Sequence, residues 1–177
     1  MSIERSPEAP ATHLAVEDFG TADVPAVLAL NTAAVPAVNA LDEAALLTLA
    51  AMGRLRVART DRVPVAGALL TLLPGRPYDS LNYRWFEARF ERFLYVDRVV
   101  VSPRARGQGI GRALYEDALR RAEEDALCRI CAEVNVDPPN PTSMAFHAAL
   151  GFRVLTERHN EAHGKRVAML ERPLSPE

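Results

Sequence analysis

The stretch YVDRVVVSPRARGQGIG, Tyr95 to Gly111, decides how this 177-residue chain is read. The apolar run Phe93 to Val101 suits a buried strand, Ser102-Pro103 its exit, and Arg104 to Gly111 a loop. A helix then opens near Gln108 and continues to about Glu124. Gly107, Gly109 and Gly111 stand at every second position where that helix begins. Lacking a Cβ, they let a ligand approach the backbone, and the free N–H groups of a helix start form a concave anion site. Arg106 lies three residues before Gly109, and Arg104 and Arg112 flank the loop, an arrangement suited to a diphosphate.

Two common diphosphate motifs do not fit. A P-loop requires Lys-Ser or Lys-Thr after its glycines, and none follows here; the dinucleotide fingerprint spaces its glycines differently. Glycines at a helix start can also be purely structural. The whole string, an apolar strand, Pro, Arg-Gly-x-Gly-x-Gly and Arg-Ala-Leu, resembles the GCN5-related N-acetyltransferase (GNAT) superfamily. There, the Gln/Arg-x-x-Gly-x-Gly/Ala motif, matched by Arg106, Gly109 and Gly111, binds the pyrophosphate of acetyl-coenzyme A. The resemblance implies cofactor contacts at Arg106, Gly107, Gln108, Gly109, Ile110, Gly111 and Arg112. It also implies that the cofactor strand splays from its neighbour and pairs with the pantetheine through Val99, Val100 and Val101. A backbone N–H near Val99 or Val100 would then polarise the thioester oxygen.

The second family segment, Asn-x-x-Ala-x-x-x-Tyr-x-x-x-Gly-Phe, stands here as Asn140, Ser143, His147, Gly151 and Phe152. Asn140, Ser143 and His147 fall on one helix face, and the resemblance places all three near the cofactor. His147 replaces the tyrosine that protonates the departing thiolate in relatives. Imidazole titrates near ~6.5, phenol near ~10 and a thiol near ~8.5. His147 is therefore either the general acid or a hydrogen-bonding partner in the site. An amine of pKa ~10.4 costs about 4–5 kcal/mol to neutralise at pH 7, so a route for its proton is expected. Glu133 and Asp97 are the candidate bases, each with an alternative as a paired structural group, and a water chain would serve as well.

Elsewhere the reading rests on pattern. His13 to Phe19 suits a first strand. Thr21 or Asp23 can cap a helix with Pro25 in its first turn; Asn31 to Asn39 is a break, and Leu41 to Met52 a second helix. In the superfamily two such helices line the acceptor pocket, which makes Asn31, Val35 and Asn39 candidates. Arg54 to Arg59 and Val63 to Leu73 read as a hairpin. Pro74 to Glu91 loses periodicity and carries Tyr78, Asn82 and Trp85, so it reads either as a substrate loop or as aromatic packing beneath one. Gln108 to Glu124 shows an apolar stripe (Ile110, Ala113, Leu114, Ala118, Ala122) with a Glu116–Arg120 pair opposite. Leu127 to Val136 is a strand bearing Glu133 and Asn135, the latter also a substrate candidate. Asn140 caps the next helix, Pro141 opens it and Gly151 closes it. Phe152 to Arg158 and Arg166 to Glu171 form a final hairpin around His163-Gly164-Lys165. The expected fold is an α/β mixed sheet, β-α-α-β-β-β-α-β-α-β-β, with splayed central strands and helices on both faces.

Composition sets the bounds. A length of 177 residues, 49% hydrophobic and 25% charged, fits one globular domain, here 13–177 behind a loose polar tail, 1–12. A net charge of −2 without a basic run gives no drive toward nucleic acid or anionic membrane. No apolar run nears a membrane span and no leader opens the chain, so a cytoplasmic protein is expected. Cys128 and Cys131 lie three apart on a strand, hence on opposite faces, and no further ligands complete a metal site. The reading is an N-acetyltransferase using acetyl-CoA on a primary amine of a small molecule, protein or peptide, without a metal. Relatives often dimerise. The alternatives are a CoA-binding sensor that has lost catalysis and a nucleotide-binding regulatory domain.

Overall fold

A computed structural model describes residues 13–160 and 164–174. The central strand β4, Phe93–Val101, has its first four residues buried. It lies inside a seven-stranded sheet with β1 (Leu14–Asp18), β2 (Arg54–Thr60), β3 (Gly67–Leu72), β5 (Arg129–Asp137), β6 (Arg153–Asn160) and β7 (Lys165–Pro173). The strand order is β1-β2-β3-β4-β5-β7-β6. All neighbours are antiparallel except β4 and β5. The expected mixed sheet is present, and the N-terminal tail and His163 lie outside the described residues.

Among the described residues, five α-helices cover the two faces. Helices α1 (Val24–Ala34), α2 (Glu43–Met52) and α3 (Leu81–Glu87) pack on one, sharing a core with Val57, Leu70, Tyr95 and Met169. Helices α4 (Ile110–Glu124) and α5 (Pro141–Ala149) pack on the other, with Leu69, Leu94, Ile130 and Leu170. On α4, Ile110, Leu114, Ala118 and Ala122 recur every four residues and are buried, each large apolar side chain contributing about 1.5–3 kcal/mol. Gly67 of β3 admits that helix: a Cβ there would stand 2.7 Å from Ile110 Cγ2 and 3.0 Å from the Val100 carbonyl oxygen. A buried ion pair, Arg56 Nε to Asp117 Oδ2 at 2.9 Å, ties α4 to β2.

Several local expectations are corrected. The segment Pro74 to Glu91 is not all loop, because Ser80 accepts from the Tyr83 N–H and so caps α3. Asn31 is the buried end of α1 rather than part of a break. Asp23 turns away from α1: its Oδ2 accepts from the Gly20 N–H and its carboxylate pairs with Arg59. Arg120 pairs with Asp117 and Glu124 rather than Glu116. Asn140 does cap α5, Pro141 follows it, and Gly151 takes a positive φ of 84° at the exit.

Candidate active site

The site begins where the sheet opens. Strands β4 and β5 pair only at Phe93–Arg129, Leu94–Ile130 and Tyr95–Cys131, after which they part. From Val96 to Val101 the β5-facing edge of β4 therefore has no strand partner, while its other edge stays paired to β3. The gap is a cleft of about 240 Å³ lined by both strands, α3, α5 and the loop after α1. Val99 lines it, but Val100 is buried and, like Val101, does not.

The glycine loop leaves backbone open at the start of α4. Gly107 and Gly109 have φ of 74° and 78°, conformations disfavoured for other residues, and a Cβ on either would meet no atom within 4 Å. The first main-chain bond of α4 runs from the Ala113 N–H to the Gly109 oxygen, leaving the N–H groups of Ile110, Gly111 and Arg112 without helical acceptors. Arg106 and Arg112 are exposed, whereas Gln108 folds back to donate to the Arg104 carbonyl at 3.2 Å. The Ile110 side chain is buried in the core, so only its backbone is available to a ligand. Gly111 instead serves packing, because a Cβ there would come within 3.0 Å of the Phe146 ring.

Glu133 stands on β5 among Tyr95, Asn82 and Asp97. Its Oε1 accepts from the Tyr95 hydroxyl at 2.8 Å and from Asn82 Nδ2 at 3.1 Å. Its Oε2 is closed off from solvent and has no hydrogen-bond partner. Burial raises this carboxyl to about 7, although the Tyr95 and Asn82 hydrogen bonds pull the other way. Asp97 differs. It is the extra residue of a β-bulge, since Leu70 pairs with Arg98 and Thr71 with Val96. Such a bulge re-aims side chains, and Asp97 and Arg98 both reach the cleft. Asp97 Oδ1 accepts from the Tyr78 hydroxyl, and Oδ2 accepts from Arg98 Nε at 2.6 Å. Both of its oxygens are engaged.

On the opposite wall His147 is buried, and burial lowers its pKa. Its Nδ1 lies 2.8 Å from the Ser143 carbonyl oxygen, which can only accept, so the proton sits on Nδ1. The bare Nε2 then accepts from the Tyr115 hydroxyl at 2.7 Å. Burial also raises the Tyr115 phenol, which keeps it a donor. The spacing of Asn140, Ser143 and His147 does bring all three to the cleft. Tyr115 carries no functional signal in sequence: it follows Leu114 on the buried face of α4, where its bulk reads as packing.

Two residues expected to contact substrate, Asn31 and Asn135, instead bond to the loop after α1. Asn31 Nδ2 donates to the Asn39 carbonyl at 3.0 Å and Asn135 Nδ2 to the Ala37 carbonyl at 3.3 Å. Lys165 Nζ donates to the Pro36 carbonyl at 2.7 Å, and Arg98 reaches both Asn31 and the Asn39 carbonyl. These bonds pin the loop between α1 and α2 over the cleft. Asn82 and Tyr78 likewise bind carboxylates of the site. Trp85 does not line the cleft: it meets Phe86 edge to face at 84°, with the Arg89 guanidinium 3.8 Å from its ring centroid. Val35 is exposed outside the cleft. Cys131 is buried, and burial raises its thiol; Cys128 is a separate free thiol. Among the described residues no helix is long and apolar enough to cross a membrane.

Known proteins share this fold. The sequence model of the Acetyltransferase (GNAT) family matches residues 30–152. Phosphinothricin N-acetyltransferase of Alcaligenes faecalis is 39% identical over 61 residues, 34% of this chain and only 30% of that relative's length. The ribosomal-protein-S18-alanine N-acetyltransferase of Escherichia coli superposes with a TM-score of 0.70 at 19% identity, covering 93% of this chain and 96% of that one. A phosphinothricin acetyltransferase from Sinorhizobium meliloti, solved in complex with AcCoA, gives 0.67 at 22% identity, covering 93% and 89%. With the family match extending over more than half of its length, from the second half of α1 through the glycine loop to Phe152, the chain belongs to the acetyltransferase (GNAT) family.

Proposed function

We propose that this protein is an N-acetyltransferase that moves an acetyl group from acetyl-CoA to the primary amine of a small molecule. The observation that carries the reading is Glu133: a carboxyl raised to about 7, with one oxygen free, beside the unpaired edge of β4. The chain fits acetyl-CoA, because the glycine loop leaves open space where side chains would stand and β4 offers free backbone groups. The N–H groups of Ile110, Gly111 and Arg112 would hold its diphosphate, with Arg106 and Arg112 adding charge. Val99 would face its pantetheine arm. Bound there, acetyl-CoA supplies an acetyl group activated as a thioester.

Glu133 Oε2 takes the proton of the acceptor amine. A group titrating near 7 is about half ionised at neutral pH, and it removes a proton from an ammonium at a cost of about 4–5 kcal/mol. Asp97, bound by Tyr78 and Arg98, serves as structure around it. The proton for the departing sulfur comes from the Tyr115 hydroxyl, which lines the cleft: its O–H turns from His147 Nε2 to the sulfur, and the phenolate left behind regains a proton from solvent. The pinned loop after α1 and the start of α3 flank the cleft, whose volume of about 240 Å³ suits a small amine. The name of the Alcaligenes faecalis relative supports the same choice and puts phosphinothricin among the acceptors to try.

A CoA-release assay with acetyl-CoA and a panel of amines, amino acids and peptides tests this. Turnover on a small amine, reduced about 10²-fold or more in Glu133→Gln, is expected. Tight binding of acetyl-CoA without turnover on any acceptor would overturn the reading.

A further inference from the structure

We propose that Asn82, carried on the helix between β3 and β4, is a positioning residue that holds Glu133 with one carboxylate oxygen free for the acceptor amine. The proposal rests on the reading of Glu133 as the base. A carboxylate offers about two acceptor sites on each oxygen. Oε1 receives two donors, Asn82 Nδ2 at 3.1 Å and the Tyr95 hydroxyl at 2.8 Å, so its capacity is filled. Oε2 receives none and is shut off from solvent. Buried polar atoms in folded proteins are nearly always paired, so a lone unpaired oxygen inside a cleft points to a ligand that pairs with it.

Helix α3 is built to make this clamp. Asn82 is 5% exposed in its first turn, immediately after the Ser80 cap and Leu81. The next residue, Tyr83, is fully buried and packs edge-on against the Tyr95 ring, with centroids 5.4 Å apart. One residue of α3 therefore donates to Glu133, and its neighbour braces the other donor. Both donors favour the carboxylate form, which keeps Glu133 ionisable in a site whose burial opposes charge. Without Asn82 the carboxyl could also rotate and bury its free oxygen against Tyr95.

The test is the pH profile of kcat/KM for wild type, Asn82→Ala, Asn82→Asp, Tyr95→Phe and Glu133→Gln. The acidic limb should move up by about one pH unit in Asn82→Ala, and in the same direction in Tyr95→Phe, which keeps the ring packing. Asn82→Asp should move it further, because a second carboxylate disfavours ionisation of the first. If the limb disappears in Glu133→Gln but stays in place in both Asn82→Ala and Tyr95→Phe, with activity lower at every pH, Asn82 is only structural and the proposal fails. If Glu133→Gln retains the limb and the activity, the base assignment itself fails, and the proposal with it. Should Asn82→Ala not fold, Asn82→Ser and Tyr95→Phe decide by the same shift.

Discussion

Replacing Glu133 by Gln should make the protein more stable above neutral pH while stopping its chemistry. Folding moves this carboxyl from an ordinary value of 4.5 to about 7, chiefly through burial. The sign follows from linkage. A carboxyl raised in the fold contributes its full stability below its unfolded value and loses it as pH rises through the folded one. Between about 4.5 and 7 the native state therefore becomes progressively costlier to ionise, reaching about 3 kcal/mol by pH 8 but less than about 1 kcal/mol at pH 5. Gln keeps an oxygen for Tyr95 and Asn82 and carries no charge. For a domain of this size the Tm of Glu133→Gln should exceed that of wild type by about 6–12 °C at pH 8, and by little at pH 5. Paired calorimetric scans at the two pH values measure it. A Tm difference that is the same at both, or a variant less stable than wild type at pH 8, would refute the account of Glu133 as a carboxyl stranded by burial.

Three further changes probe other parts of the site. Tyr115→Phe keeps the ring packing on Phe146 and Phe152 but strips His147 Nε2 of its donor, and steady-state kinetics should show kcat lower by about 10²-fold with the KM for acetyl-CoA nearly unchanged. Gly109→Ala puts a Cβ on a residue with φ of 78°, costing about 1 kcal/mol of stability; titration with acetyl-CoA should show affinity weakened tenfold or more, because that Cβ occupies the open cradle. Gly67→Ala drives a methyl to 2.7 Å from Ile110 Cγ2, and denaturant unfolding should show a loss of about 1–3 kcal/mol with an unchanged m-value.

The cofactor half of this fold was legible because its requirements are local. Positive φ at Gly107 and Gly109, a capping Asn140 and a closing Gly151 each need a particular residue at a particular step, and such needs show in sequence. Helix α3 was harder. Seven residues make barely two turns, and LNYRWFE buries Asn82, Tyr83 and Phe86 without an apolar stripe long enough to reveal a period. Its one clear signal was Ser80, whose side chain accepts from the Tyr83 N–H. Asn31 and Asn135 show another limit. Polar residues near a pocket read alike whether they meet a ligand or the protein's own carbonyls, and both here hold the loop that covers the cleft.

Glu133 and Asp97 read alike in sequence as candidate bases, and the fold gives them different surroundings. Both are acidic residues on apolar strands. Asp97 is extra at a bulge, so the adjacent residue Arg98 falls beside it and neutralises it. Glu133 has no such neighbour across the sheet. Its partner on β7 is Met169, and on the other side β4 has already parted from β5 two residues earlier. The cleft's guanidinium, Arg98, is committed to Asp97 and Asn31. What remains for Glu133 is a phenol and an amide, which steady one oxygen without cancelling the charge. The opening between β4 and β5 thus frees a strand edge for a ligand, and it spares Glu133 the neighbour that continued register would have given it, Asp97, a second acid.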